Sequence, residues 1–144
     1  MTQPADIVDA SVRYQAWLAA LKDRAMLQTH NQAQAMMRAV LLALRRHMTA
    51  DNVFAFADAL PPLPRGIFVE GWRPTEVPTD TSPTALLAEV TRMLAPHHVP
   101  PDTIVEDALA VIGGGVGSAQ MASIHAALPD GLRPLMRPSA DQSS

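Results

Sequence analysis

A chain of 144 residues with a formal charge of −3 suits one domain, and at this size folding removes roughly two-thirds of the unfolded chain's accessible surface from water. There is no cysteine, which excludes disulfides, thiolate nucleophiles and thiolate metal sites. Residues 1–80 carry eight basic against eight acidic side chains and residues 81–144 three against six, so neither half has the basic excess that a phosphate backbone demands, and no nucleic-acid partner is expected.

Hydrophobic residues make up 48% but aromatics only 4%. The core must therefore come from Ala, Leu, Val, Ile and eight Met, residues that suit helices better than sheets. Asp6 and Asp9 stand where a secretory signal would place positive charge, and no stretch approaches the roughly 20 apolar residues that span a bilayer. The expectation is a cytoplasmic protein with no membrane contact.

After an N-terminal arm over residues 1–10, helical periodicity begins with Val12, Trp17, Leu18, Leu21 and Ala25 on one face. Thr29 and Gln32 have capping-box spacing and open a second stripe of Ala33, Met36, Met37, Val40, Leu41, Leu44 and Met48. Thr49 caps a third helix with Val53, Phe56, Ala57 and Leu60 inward, which Pro61 and Pro62 end. A short fourth helix follows from Arg65 to Glu70, completing a first unit over residues 11–73.

The Pro- and Thr-rich run after Gly71 reads as a connector, placed at residues 74–82. Ser82 and Pro83 then give an N-cap and first-turn signal before Leu86, Leu87, Val90, Met93 and Leu94. Pro96 to Pro101 break the chain, and Thr103 with Glu106 supplies another capping-box spacing before Ile104, Val105, Ala108, Val111 and Ile112. Met121, Ile124 and Leu128 stripe the next helix of a second unit over residues 83–137, followed by a tail at 138–144 that is expected to be disordered.

A shift of 68 residues without a gap aligns Leu41 with Leu109, Ala59-Leu60-Pro61 with Ala127-Leu128-Pro129, and Arg65 with Arg133. The apolar positions coincide under the same shift, Leu44 with Ile112 and Phe56 with Ile124 among them. The predicted architecture is all-α: two repeat-related four-helix units packed into one helical domain. Helices this short are marginal alone, so the units are expected to bury a shared face.

The run RAVLLALRRHMTADNVFAFADALPPLPRGIFVEGWRP, Arg38 to Pro74, resembles the bacterial family of uncharacterised conserved proteins DUF2267, and LPDGLRPLM fits its C-terminal part. The segment LPxLxRGxxxEGWxP is the distinctive portion, within a similarity covering residues 10–137. The resemblance implies an all-helical duplicated fold and a bacterial origin, and brings no activity, substrate, cofactor or catalytic residue with it. Two departures stand out. Pro64 replaces a plain apolar residue, which would delay the fourth helix to Arg65, and Gly113 to Gly115 replace basic and polar residues at the end of the sixth. Each glycine costs about 1 kcal/mol relative to Ala if helical, so this helix end is expected to be mobile.

Few motifs carry chemistry. In the GGGVGS run, Gly113 to Ser118, no Lys follows the last glycine and a helix rather than a strand precedes it. It reads as a helix stop with Ser118 as the next cap rather than a phosphate loop. No two of His30, His47, His97, His98 and His125 are four residues apart on a helix, so surface or capping roles are expected and no metal site. The Met residues read as core filling. Ser123 and His125 point to different sides of their helix, while Glu106 and Asp107 suit a helix start, so no catalytic residue and no cofactor is expected.

Two surfaces remain. Arg38, Arg45 and Arg46 make a basic side on the second helix, a candidate contact for an acidic partner. Arg65, Glu70, Trp72 and Arg73 gather an ion-pair candidate and one of two Trp at the exit of the first unit, where Gly71 can take a positive backbone angle. Trp72 is expected to be largely buried as a joint there. The predicted function is a non-enzymatic protein-interaction or self-associating module. The alternative is a small-molecule or cofactor binder using a Met-lined cavity between the units.

Overall fold

The computed structural model describes residues 4–136. The described residues form seven helices and no strand: α1 (Ala5–Arg24), α2 (His30–Arg46), α3 (Ala50–Ala59), α4 (Pro62–Val69), α5 (Pro83–Leu94), α6 (Ile104–Gly114) and α7 (Ser118–Ala127), closed by a 3-10 turn at Arg133–Met136. The tail expected at 138–144 lies outside the described residues. The all-helical expectation is met.

Local chemistry accounts for most helix ends. The α2 capping box forms, with Gln32 N–H donating to Thr29 Oγ1 and the Gln32 side chain accepting from Thr29 N–H. Thr49 and Ser82 cap α3 and α5 through their hydroxyls, as their spacing predicts. α1 starts at Ala5, inside the expected arm, because Pro4 offers its carbonyl to the first free N–H groups and Asp6 lies in the positive first turn. At its other end Met26 has a φ of 57° and Leu27 N–H reaches back to Lys22 O at 2.8 Å. That is a left-handed helix stop on a residue other than glycine.

Four expectations change. α4 begins at Pro62 rather than Arg65, because Pro62 and Pro64 fall in the first turn, where backbone N–H groups have no helical partner to lose. Thr103 makes no capping box with Glu106; its hydroxyl donates to Asp107 Oδ2 at 2.8 Å, serving a buried carboxylate instead. Gly117, not Ser118, occupies the cap position of α7. Val12 is 63% exposed. It stands about 140° around the helix from Trp17, and the inward side of α1 is Tyr14, Trp17, Leu18 and Leu21.

α2 is the hub, packing against α1, α4, α5 and α6, while α3 packs on α7 and α1 on α6. Its buried set, Ala33, Met36, Met37, Ala39, Val40, Leu41, Ala43 and Leu44, wraps most of the helix, as a helix surrounded by neighbours requires. Phe56 and Phe68 meet with centroids 4.7 Å apart and tie α3 to α4. Each such buried side chain contributes about 1.5–3 kcal/mol. Met36, Met37, Met48 and Met136 fill the core, whereas Met93, in the last turn of α5, is 41% exposed.

The ends of α2 and α6 share a backbone geometry and differ in what fills it. His47 follows α2 with φ −100° and ψ 13°, and Gly115 follows α6 with φ −102° and ψ 4°. His47 is buried, its Nε2 2.7 Å from Glu89 Oε2 of α5, and Arg46 Nη1 lies 3.1 Å from Glu89 Oε1. A Cβ on Gly115 would lie 2.2 Å from Trp17 Nε1 of α1, so glycine is required there for space and not for its φ.

Candidate functional site

The structure divides the seven residues singled out from the sequence into three groups. Arg38, Arg45 and Glu70 come together where α2 passes the end of α4. Arg38 Nη2 stands 3.0 Å from Glu70 Oε2, and Arg45 Nη1 donates to Phe68 O at 3.1 Å and Glu70 O at 2.5 Å. A guanidinium on the last carbonyls of a helix satisfies groups that have no helical donor. Burial chiefly, and then the neighbouring Arg38, pull Arg45 below its usual value, opposed by the Glu70 carboxylate. Beside them Tyr14 donates its hydroxyl to Gln34 Oε1, and burial pushes the phenol up to about 12 against the opposite pull of Arg38.

Arg46 and Arg65 belong elsewhere. Arg46 turns to Glu89. Arg65 donates from Nε to Ala57 O at 2.9 Å and from Nη2 to Asp58 O and Leu60 O, closing the end of α3. Arg133 repeats the arrangement on α7, from Nε to His125 O at 3.2 Å and from Nη2 to Ala126 O at 3.3 Å. These carbonyls lie 68 residues beyond those of Ala57 and Asp58.

Trp72 and Arg73 form the third group. Gly71 takes the expected positive φ, 65°, with nothing within 4 Å of a Cβ placed there, so its glycine serves the turn alone. The turn lays Trp72 on α3, where it meets Phe54 edge-on with centroids 5.6 Å apart at 80°. Trp72 is half-buried rather than largely buried, because its neighbour Phe54 is itself 63% exposed. Arg73 is exposed and enters no ion pair among the described residues.

Sequence reasoning missed Phe54 and the His47–Glu89 pair. Phe54 lies off the buried stripe of α3 at Val53, Phe56, Ala57 and Leu60, and a large aromatic on an outward face was the available signal. Glu89 is an acid on the inward side of α5, three residues after Leu86 and next to Val90. A carboxylate in that position needs a buried partner.

The site is therefore an aromatic pair, Phe54 exposed and Trp72 half-buried, with Glu70 of the Arg38–Glu70 ion pair and Arg73 close to Trp72 in the chain. Among the described residues no group of three or more His, Asp or Glu could hold a metal ion, and no helix is long and apolar enough to cross a membrane. Fold and site together define a small helical protein with a mixed aromatic and ionic face. The chain belongs to the family of uncharacterised conserved proteins DUF2267, whose profile matches residues 14–135, from the first buried residue of α1 to the closing 3-10 turn. No curated protein matches it.

Proposed function

We propose that this is a non-enzymatic interaction module of the bacterial cytoplasm, which engages a protein partner or a second copy of itself through Phe54, Trp72 and Arg73. The observation that carries the reading is Phe54, held 63% exposed against the half-buried Trp72. An exposed aromatic fixed by a neighbour loses little conformational freedom on binding, and aromatics with Arg dominate the energetic centres of interfaces. Arg38 and Glu70, both substantially exposed, suit the rim, where charges govern encounter rate and salt sensitivity. Arg45, Arg46 and Arg65 serve helix ends and a buried carboxylate in this reading and leave the contact surface.

We further propose that the fold is a duplication of one four-helix unit, residues 11–73 and 83–137, with 74–82 between them. Support comes from α3 and α7, whose bounds differ by the same 68 residues, and from the matching bonds of Arg65 and Arg133. The contact α3–α7 would then join equivalent helices across an approximate two-fold axis.

The test is Phe54→Asp, at an exposed position. Native mass spectrometry reads self-association and affinity capture reads a partner. The expected result is loss of the oligomer, or at least about tenfold weaker capture, corresponding to about 1.4 kcal/mol, with an unchanged melting temperature. Equal assembly and equal capture by the folded variant would overturn the reading.

A further inference from the structure

α1 runs past the core that it helps to build. Its first core residue is Tyr14, and of residues 5–13 only Ala10 is even partly covered. At 1.5 Å per residue that end stands clear of the core over about 13 Å. Ile7, Val8 and Val12 lie in it, 54%, 41% and 63% exposed. β-branched side chains are mediocre helix formers, and a short helix with no packed face is marginal in water. A partner along this end would supply the packed face that the core does not.

Helical geometry says which face. Successive residues turn by about 100°, so Val8 and Val12 stand about 40° apart, on a side turned away from Tyr14, Trp17, Leu18 and Leu21. The same turn gathers Asp6, Asp9 and Arg13 along one flank of that face, within about 60° of one another. Arg13 is held in place by donating from Nη2 to Gly115 O at 2.8 Å. Asp6 and Asp9 enter no ion pair among the described residues.

We propose that two copies of the chain pair through this end of α1, the helices antiparallel and crossing near Ala10. In that register Val8 of each copy packs on the partner's Val12. Arg13 of each copy falls level with a point between the partner's Asp6 and Asp9, so each guanidinium meets two carboxylates that lack a partner in their own chain. Antiparallel helices bring like flanks together, which is why one flank carrying both signs is complementary to itself. The cores do not collide, because each lies on the opposite side of α1 from the seam. The two acids also disfavour an anionic membrane, the other surface that takes up exposed apolar helices. A seam of about three turns is short, so the dimer is weak and forms as concentration rises. It is independent of the Phe54 face, and each surface has its own disrupting substitution.

Sedimentation velocity of the full chain over a concentration series tests the pairing. The expected result is a dimer at the concentrations of an NMR sample. Val12→Asp should render it monomeric with an unchanged melting temperature, Asp9→Lys should weaken it about tenfold, and Phe54→Asp should leave it intact. Because the chain has no cysteine, single thiols report the register. An equal mixture of Val8→Cys and Val12→Cys chains should oxidise to the mixed dimer in preference to either homodimer. A monomer throughout, or a dimer that persists in folded Val12→Asp, would overturn the proposal. Preferred homodimers would overturn the antiparallel register, and a monomer that adheres to vesicles of anionic lipid would give this end of α1 to a membrane.

Discussion

The junctions at the ends of α2 and α6 place two different solutions on nearly the same backbone. At His47 the bulk sits on the residue ending the helix, and the facing helix answers with a carboxylate; at Gly115 the bulk sits on the facing helix, as Trp17, and the helix end gives way. On the proposed 68-residue register these are the same position twice. The polar version is closed, with Glu89 8% exposed and bridged by Arg46. The aromatic version leaves an open cleft beside it. An imidazole–carboxylate pair holds its helices through direction, whereas an indole over a glycine holds them through area, and area admits gaps.

Removing either partner tests which junction carries more stability. Trp17→Ala should cost about 3–5 kcal/mol, as large aromatic losses from cores do. Glu89→Ala should cost about 1.5–3 kcal/mol through loss of a charge-assisted bond. Urea midpoints would decide, and a larger loss at Glu89 would reverse the ranking of the two junctions.

A finer test adds one methyl group. Gly115→Ala places a Cβ 2.2 Å from Trp17 Nε1 and 2.7 Å from Cε2, and overpacking of this kind costs about 1–3 kcal/mol. Most of that cost should vanish in the Trp17→Phe background, where the five-membered ring is gone. Additive losses in the double-mutant cycle would mean that glycine serves something other than the indole.

The smallest expected effect concerns how α1 is held to α2. Tyr14 has its value raised from 10.0 to about 12 on folding, chiefly by burial, so the neutral phenol is the form the fold prefers. Its contribution is fully present below pH 10 and is lost progressively as the pH rises toward 12. Tyr14→Phe should flatten that alkaline decline in thermal stability, while leaving the neutral-pH melting temperature lower only by the loss of the bond to Gln34. On the proposed register the counterpart is Ser82, which cannot titrate in this range, so an unaltered alkaline limb in Tyr14→Phe would assign the decline to other groups.

Much of the fold was legible because its causes are local. The stripes on α2 and α6, the Thr29 box and the Ser82–Pro83 start all depend on residues within two turns of one another. The site was read less well for the opposite reason. Arg45 and Arg65 look like surface cations in the sequence, but their acceptors are backbone carbonyls of α3, α4 and the residues that follow them, and a carbonyl leaves no mark in the residue alphabet. Thr103 has the spacing of a cap and serves Asp107, whose need arises only when Arg24 arrives from α1. The methionines of α2 are consumed by the core, and the groove between α1 and α6, one helix from each proposed unit, is lined by Trp17, Arg24, alanines, Val111 and glycines instead.

The pairing of α1 with α6, α2 with α5 and α3 with α7 also has a consequence for synthesis. Each pair joins a helix made early to one made late, so as the chain leaves the ribosome the greasy sides of α2 and α3 wait for sequence that has not yet been translated. Phe56 can meet Phe68 as soon as α4 is made, but the side of α3 that packs on α7 has no cover until α7 emerges. The contacts between early and late helices can therefore form only once the late helices have been made, and contacts of such high sequence separation slow folding.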